Sequence, residues 1–142
     1  MNETTDIADE LLEEWDWETA LPIGRPVERK KAHREGIAHE GVHLWIVRNG
    51  AAGPELLFQQ RAPKKDMYPD VLDITVGGHV TFGRTENKIQ KESYEEIGIA
   101  PSDGELIDLG YFRYEEITDT MFHREFQRVY LMADNRKLEE YV

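Results

Sequence analysis

The chain has 142 residues, a formal net charge of −12, a pI near 4.8 and no cysteine. Its length fits one domain with a real core, and the lack of cysteine excludes disulfides, thiolate metal sites and cysteine nucleophiles. A binder of nucleic acid polymers needs a basic stripe, which this acidic balance argues against. A small phosphorylated ligand needs only a local basic pocket and a metal, so that partner stays open. The sequence has no apolar run of membrane-spanning length and no secretion signal, and therefore predicts a cytoplasmic protein without a membrane partner.

The acidic residues 1–14 open the chain and predict either a short helix or a frayed tail. Trp15 and Trp17 alternate with acidic residues, which is typical of a short strand. Leu21–Gly24 has the composition of a turn that leads into a second strand. The basic run Val27–Gly36 predicts one short helix that stops at its glycine.

Three apolar runs then predict strands, and two more strands follow a central helix. These five strands are His43–Val47, Leu56–Arg61, Val71–Val76, 105–116 and 125–133. Residues 48–55 predict a turn between the first two, with Asn49-Gly50 as the hairpin signal. Strands around one central helix are typical of an α+β or α/β sandwich. We place one domain at 15–142, after the N-terminal segment 1–14. A mixed sheet of this size usually needs a second helical layer, and the sequence shows no helix after the last strand.

The stretch Gly77–Ile99 combines a glycine-rich loop with the central helix, which we expect to end near Gly98. Glu92, Glu95 and Glu96 stand at i, i+3 and i+4, so they share one helix face. Like charges repel there, and a hard divalent cation with oxygen ligands, such as Mg²⁺, would offset the repulsion. The alternative is an acidic face that is simply solvated.

This stretch resembles the Nudix box, the signature of the Nudix hydrolase superfamily. The matching positions are Gly78, Glu92, Glu95, Glu96, Gly98 and Ile99, with Lys91 where an arginine is expected. Arg84 stands at the position of the loop glutamate, Ser93 replaces an aliphatic residue, and the box is one residue short. The resemblance implies an α/β/α sandwich with a mixed sheet. It also implies Mg²⁺ or Mn²⁺ bound by Glu92, Glu95 and Glu96.

From Trp15 onward the chain resembles the Nudix branch that includes isopentenyl diphosphate isomerase and its hydrolase relatives. Family members of this branch usually continue into a further helix, so a C-terminal helix is apparently absent from this chain. The isomerases need a cysteine at the position of Gly77, which makes a hydrolase the better interpretation. Arg61 and Lys65 match diphosphate-contacting positions, where a basic pair suits a phosphate clamp. Glu125 matches a functional glutamate of the branch, with an ordinary solvent-facing strand residue as the alternative.

Three histidines, His33, His39 and His79, resemble metal-binding histidines of the isomerases. Hydrolase relatives can keep such residues without that metal. A structural or exposed histidine is the alternative at all three positions, and we favour it for His33. We also interpret His43, which lies in a buried strand pattern, as structural.

Two functions therefore follow from the resemblance. The first is a Mg²⁺-dependent hydrolase that cleaves the diphosphate linkage of a nucleoside diphosphate derivative or related pyrophosphate. The second is a catalytically weakened Nudix domain that binds a ligand or partner. For the first, the candidate catalytic residues are Glu92, Glu95 and Glu125, and the candidate substrate-binding residues are Arg61, Lys65, Gly78 and Arg84. The oligomeric state stays open, and a homodimer is an assembly that such domains often adopt.

Arg84 decides between these functions, because a guanidinium cannot accept a bond from a metal or its waters. It would weaken the enzyme if it paired with the helix glutamates in place of a cation. Alternatively, Glu86 takes over the missing role, or Arg84 contacts a substrate phosphate. The sequence leaves these three alternatives open.

Overall fold

The computed structural model describes residues 10–60 and 71–141. These residues form nine strands: β1 (Leu11–Asp16), β2 (Leu21–Glu28), β3 (His39–Gly50), β4 (Gly53–Leu56), β5 (Gln59–Gln60), β6 (Leu72–Asp73), β7 (Val76–His79), β8 (Ile107–Ile117) and β9 (Phe122–Ala133). They also form helices α1 (Arg29–Glu35) and α2 (Lys88–Ile97), and 3₁₀ turns at Asp103–Glu105 and Leu138–Glu140. None of the described helices is long and apolar enough to cross a membrane.

The largest sheet forms around β3. Its strand order is β4-β3-β9-β8, and β7 also pairs with β3. The strands β1 and β2 form a separate antiparallel pair, as do β5 and β6. The predicted mixed α/β fold with a mixed sheet is confirmed.

The described residues group into two compact units, which we treat separately. The first unit contains the residues up to Val42, His79–Glu86 and Tyr111–Arg128, and the second contains His43–Gly78, Asn87–Gly110 and the residues from Val129 onward. The apolar core of the first unit includes Leu12, Val27, Ala32, Val42 and Phe126. The apolar core of the second includes Leu44, Ile46, Val76, Ile89 and Met132.

Both predicted helices are confirmed, and each ends at the glycine that the sequence indicated. Gly36 follows α1 with a φ of +71°, and its N–H donates to the carbonyl of Ala32. Gly98 follows α2 with a φ of +75°, and its N–H donates to the carbonyl of Tyr94. Glycine has no Cβ and can adopt the left-handed conformation without a steric clash, so helices commonly end at glycine.

The N-terminal prediction is wrong for its described part, because the chain is already a strand from Leu11. Leu12 is fully buried and pairs with Val27, whereas Leu11 is 46% exposed. The antiparallel pairing with β2 shows that this segment is a strand and not a helix, and the burial of Leu12 helps to hold β1 on β2. Residues 1–9 lie outside the described part of the chain, so the boundary at residue 14 stays a prediction.

The hairpin after β3 is confirmed, but its turn is not at Asn49-Gly50. Both residues belong to β3, where Asn49 pairs with Pro54 and Gly50 with Gly53. The turn is Ala51-Ala52, and Gly53 has a φ of +124°. The positive φ that the hairpin needs is therefore supplied by Gly53, directly after the turn, and not by Gly50 before it.

Two strands that the sequence predicts as continuous are broken in the structure. The run Leu56–Arg61 becomes β4 and β5, and the run Val71–Val76 becomes β6 and the start of β7. At the second break the fully buried Thr75 uses its side chain, since its hydroxyl accepts from the N–H of Ile46 at 3.0 Å. A side-chain bond thus replaces a ladder bond there.

The last two predicted strands are confirmed as β8, which lies within two residues of its predicted bounds, and β9, which begins three residues earlier than predicted. After β9, the described residues up to Tyr141 form the second 3₁₀ turn and no α-helix. Within this range, the structure agrees with the expectation that no helix follows the last strand.

Candidate functional site

Helix α2 carries the three glutamates of the predicted metal site, and we call Gly78, Glu92, Glu95 and Glu96 the carboxylate site. All four lie in the second unit. The side chain of Glu95 is 54% exposed and that of Glu92 is 17% exposed, while Glu96 is half-buried. The helix therefore offers carboxylates at a partly open surface, which suits a cation that keeps several of its waters.

Glu92 lies directly against the backbone of Gly78. A Cβ built on Gly78 would overlap Oε1 of Glu92, with the carboxyl carbon 2.6 Å away. At Gly77, by contrast, an added Cβ would meet the end of the Ile74 side chain at 2.8 Å. Glycine at position 78 thus leaves room for the Glu92 carboxylate, which a Cβ at this position would push aside.

Glu96 is held by two donors on one oxygen. Its Oε1 accepts from Nε2 of Gln59 at 2.9 Å and from the N–H of Gly77 at 3.3 Å. Gln59 is a residue that the sequence did not indicate, because its partner is 37 positions away and only the fold brings them together.

Lys91 and Ser93 are two of the departures from the box, and the structure shows what each one does. The Nζ of Lys91 lies 2.9 Å from Oε2 of Glu95 and 3.6 Å from Oε2 of Glu92, so it offsets part of the repulsion between the carboxylates. Ser93 points inward and is fully buried, and its hydroxyl has no hydrogen-bond partner among the described residues. An aliphatic residue would fill the same place without a desolvated hydroxyl.

Four histidines and Glu125 form a second group, which we call the histidine cluster. It consists of His33, His39, His79, His123 and Glu125, all in the first unit. The ring centroids of the four histidines lie between 4.9 and 6.0 Å apart in every pair. They come from α1, β3, β7 and β9, so the fold and not the local sequence assembles them.

The sequence indicated His33, His39 and His79 but missed His123. The available signal was its spacing from Glu125. Residues two apart in a strand point to the same face, and β9 contains both. The fifth histidine, His43, lies in the second unit.

Glu125 is the charged centre of the cluster and is only 4% exposed. Its Oε2 lies 3.1 Å from Nδ1 of His79, and its Oε1 accepts from Nε2 of Gln127 at 3.0 Å. An added Cβ on Gly41 would overlap Oε2. Burial by itself would raise the pKa of Glu125, but the hydrogen bond with His79 and the Coulombic interactions with His79, His39 and His123 outweigh it and hold that pKa below its usual range.

Burial favours the neutral form of three of these histidines, His33, His39 and His123. The pKa of His33 is lowered to about 3, mainly by burial and to a smaller extent by the Coulombic interactions with His79 and His39. Burial, followed by the charge of His79, lowers the pKa of His39 to about 4, and burial also lowers the pKa of His123. Neutral imidazoles keep the lone pair that a metal ion needs.

Several nitrogen atoms in this cluster are buried and unsatisfied. Among the described residues, Nε2 of His33, His39 and His123 has no hydrogen-bond partner. The Nδ1 of His39 lies 3.0 Å from the carbonyl of Ile37, which places its proton on Nδ1 and leaves Nε2 bare. The possible ligand atoms of His33, His39 and His79 lie within 4.8 Å of one another, as do those of His39, His123 and Glu125. Buried lone pairs at this spacing fit a metal ion with nitrogen and oxygen ligands.

The remaining predicted residues are less informative. Arg61 and Lys65 lie outside the described residues, so the phosphate clamp stays a prediction. Arg84 is half-buried in the first unit, and its Nη1 donates to the carbonyl of Glu86 at 3.2 Å. This bond fixes the loop conformation and leaves the three alternatives for Arg84 as predictions.

Comparison with known proteins identifies similar sequences. The chain is 33% identical over 133 residues to an uncharacterised Nudix hydrolase of Clostridium acetobutylicum, covering 94% of this chain and 64% of that protein. It is 33% identical over 108 residues to Nudix hydrolase 3 of Arabidopsis thaliana, covering 74% of this chain and 14% of that protein. The chain therefore spans less than two thirds of the length of these relatives. No family model matches it.

A solved structure shares the fold. The crystal structure of DR0079 from Deinococcus radiodurans superposes with a TM-score of 0.68 at 24% identity, covering 94% of this chain and 79% of that protein. At this identity the likeness supports the fold alone.

Proposed function

Because the chain belongs to the Nudix superfamily, we propose that it hydrolyses the diphosphate linkage of a nucleoside diphosphate derivative or a related pyrophosphate. The observation that carries this proposal is the seating of two box glutamates in the carboxylate site. Glu92 lies against Gly78, and Glu96 is held by Gln59 and Gly77. A helix face that served only for solubility would not need its carboxylates fixed in this way.

The residues of the carboxylate site fit a hard divalent cation, Mg²⁺ or Mn²⁺. Glu92, Glu95 and Glu96 offer oxygen ligands, which both ions prefer. When bound, the cation would neutralise diphosphate oxygens and lower the pKa of a bound water. Glu95 and Glu96 would hold it, and Glu92, seated on Gly78, would orient the attacking water or accept its proton.

The absence of cysteine separates this chemistry from that of an isomerase. Gly77 stands where the isomerases carry their acid/base thiol, and its N–H instead donates to Glu96. Membership of the isomerase branch itself stays a prediction. We therefore propose hydrolysis and not isomerisation.

The histidine cluster supports a second metal site with different chemistry. Four imidazoles and a buried carboxylate suit a transition ion such as Zn²⁺, which takes nitrogen and oxygen ligands. The observation that favours it is the set of three buried Nε2 atoms without partners. Glu125 would then be a metal ligand. Its predicted catalytic role is the alternative.

A weakened Nudix domain that binds a ligand or partner is the second candidate function. The observation in its favour is Lys91, whose ammonium contacts Glu95 and Glu92. It already supplies positive charge to two of the three carboxylates. In this candidate the cation site would be too weak to support turnover.

Phosphate release from a panel of nucleotides and nucleotide sugars tests the proposal, with Mg²⁺ and Mn²⁺ in separate series. We expect turnover of at least one compound. Glu96→Gln should lower kcat/KM by more than about 100-fold. This exceeds the loss that is typical when a residue that only hydrogen-bonds to a metal ligand is replaced. Glu35→Gln, at an exposed position of α1, is the matched control and should retain activity. A flat panel from demonstrably folded protein would contradict the hydrolase and favour the binding module.

A further inference from the structure

Gln59 connects the strand β5 to the carboxylate site. Its Nε2 donates to the carbonyl of Thr75 at 3.0 Å and to Oε1 of Glu96 at 2.9 Å. A carbonyl oxygen and a carboxylate oxygen can only accept, so the nitrogen of the amide must face them. The orientation of Gln59 is therefore determined by its two partners.

Gln59 is itself held in place by a buried anchor. Thr75 is fully buried, and its hydroxyl accepts from the N–H of Ile46 and donates to the carbonyl of Leu57. Leu57 stands two residues before Gln59, at the break between β4 and β5. The break turns the chain so that Gln59 reaches both Thr75 and Glu96.

The two donors on Oε1 restrict rotation of the Glu96 carboxylate. Gly77 contributes its N–H from β7, and Gln59 contributes its amide from β5. A carboxylate held at one oxygen presents its second oxygen in a defined direction. Such outer partners orient metal ligands, and their loss typically weakens metal binding by about 10- to 100-fold.

We propose that Gln59 is a positioning residue that orients Glu96 for the divalent cation of the carboxylate site. This inference rests on the proposed function, since it requires Glu96 to be a metal ligand. In this role Gln59 would not be a metal ligand itself and would act through its hydrogen bond with Glu96.

Mn²⁺ titration followed by electron paramagnetic resonance tests this role, using Mn²⁺ alone as the probe. Glu96→Gln first identifies which binding event belongs to the carboxylate site, and only that event is followed. Gln59→Met keeps the length of the side chain but removes the donor, and we expect about tenfold weaker binding. Gln60→Met is the matched control on the same strand and should change the affinity by less than about twofold.

A double-mutant cycle separates positioning from a general structural role. In the Glu96→Gln background, Gln59→Met should have no further effect on Mn²⁺, because the oxygen that it orients has lost its function. Equal Mn²⁺ affinity in Gln59→Met and Gln60→Met would overturn the role of Gln59 and leave the hydrolase proposal standing. A lower unfolding stability of Gln59→Met with unchanged Mn²⁺ affinity would overturn it too. Unchanged Mn²⁺ binding in Glu96→Gln would remove the metal site of the proposed function, and this inference with it.

Discussion

The histidine cluster and the carboxylate site each hold a glutamate directly against a glycine, but they differ in burial and in ligand chemistry. Glu125 lies on Gly41 and is 4% exposed, surrounded by imidazoles. Glu92 lies on Gly78 in a site whose Glu95 side chain is 54% exposed. A buried set of nitrogen ligands suits an ion that stays bound, and an open set of oxygens suits an ion that exchanges with its substrate. The same close backbone approach thus occurs in two candidate sites of different chemistry.

The largest expected effect is that a substitution in the histidine cluster abolishes Zn²⁺ binding. We expect the wild-type protein to bind one equivalent of Zn²⁺, measured by calorimetry with metal analysis after dialysis. His39→Ala should weaken this binding by more than about 100-fold, because it removes a buried ligand whose Nε2 has no other partner among the described residues.

The matched control for Zn²⁺ binding is His43→Ala, a histidine of the second unit. It should bind Zn²⁺ like the wild-type protein. If both alanine variants bind Zn²⁺ equally, or the wild-type protein binds none, the cluster is a structural network and the contrast between the two sites disappears.

The next effect concerns the glycine beneath Glu92. Gly78→Ala should lower kcat/KM by about 10- to 100-fold, because the new methyl group would displace the Glu92 carboxylate from the position in which we propose that it orients the water. Gly77→Ala should lose less than about threefold, since the flexible end of Ile74 can move aside. The measurement is steady-state kinetics on the best compound of the panel, with circular dichroism to verify folding. Equal losses in the two neighbouring variants would show that the position of Glu92 does not depend on Gly78.

The same comparison shows what the sequence can predict about this protein. Signals within one element were sufficient for the ends of both helices at Gly36 and Gly98, and for three glutamates on one face of α2. The predictions failed where the deciding contact is distant in sequence. The turn at Ala51-Ala52 depends on ladder register, and the break at Leu57 depends on its bond with Thr75.

The two candidate sites differ in the same way. The carboxylate site could be located from the box alone, because its ligands stand on one helix. The histidine cluster draws its members from four elements, so His123 could be added only by the fold. Gln59 is a further case, since no local pattern distinguishes it from Gln60.

The smallest expected effect is a pH dependence of the unfolding free energy that the histidine cluster causes in the metal-free protein. The folded-state pKa values of His33 and His39, about 3 and about 4, lie below the usual value of 6.5. Below pH 6.5 the unfolded chain binds protons that the folded protein excludes, so the stability is fully present above 6.5 and falls as the pH falls. Each buried imidazole should contribute about 1 kcal/mol per pH unit between 6.5 and 5. The lowered pKa of Glu125 adds only a small slope near pH 5, because its unfolded-state pKa of about 4.5 lies below that window.

Urea unfolding in EDTA at several pH values between 7.5 and 5 measures this dependence. Other titrating groups are common to all variants, so the informative quantity is the difference between the wild-type protein and His39→Gln, whose amide cannot be protonated. We expect the variant to lose less stability than the wild-type protein, by about 1 kcal/mol at pH 5.5. Parallel curves for the two proteins would mean that His39 is not held neutral by burial. The cluster would then lack the unprotonated nitrogens that distinguish it from the carboxylate site.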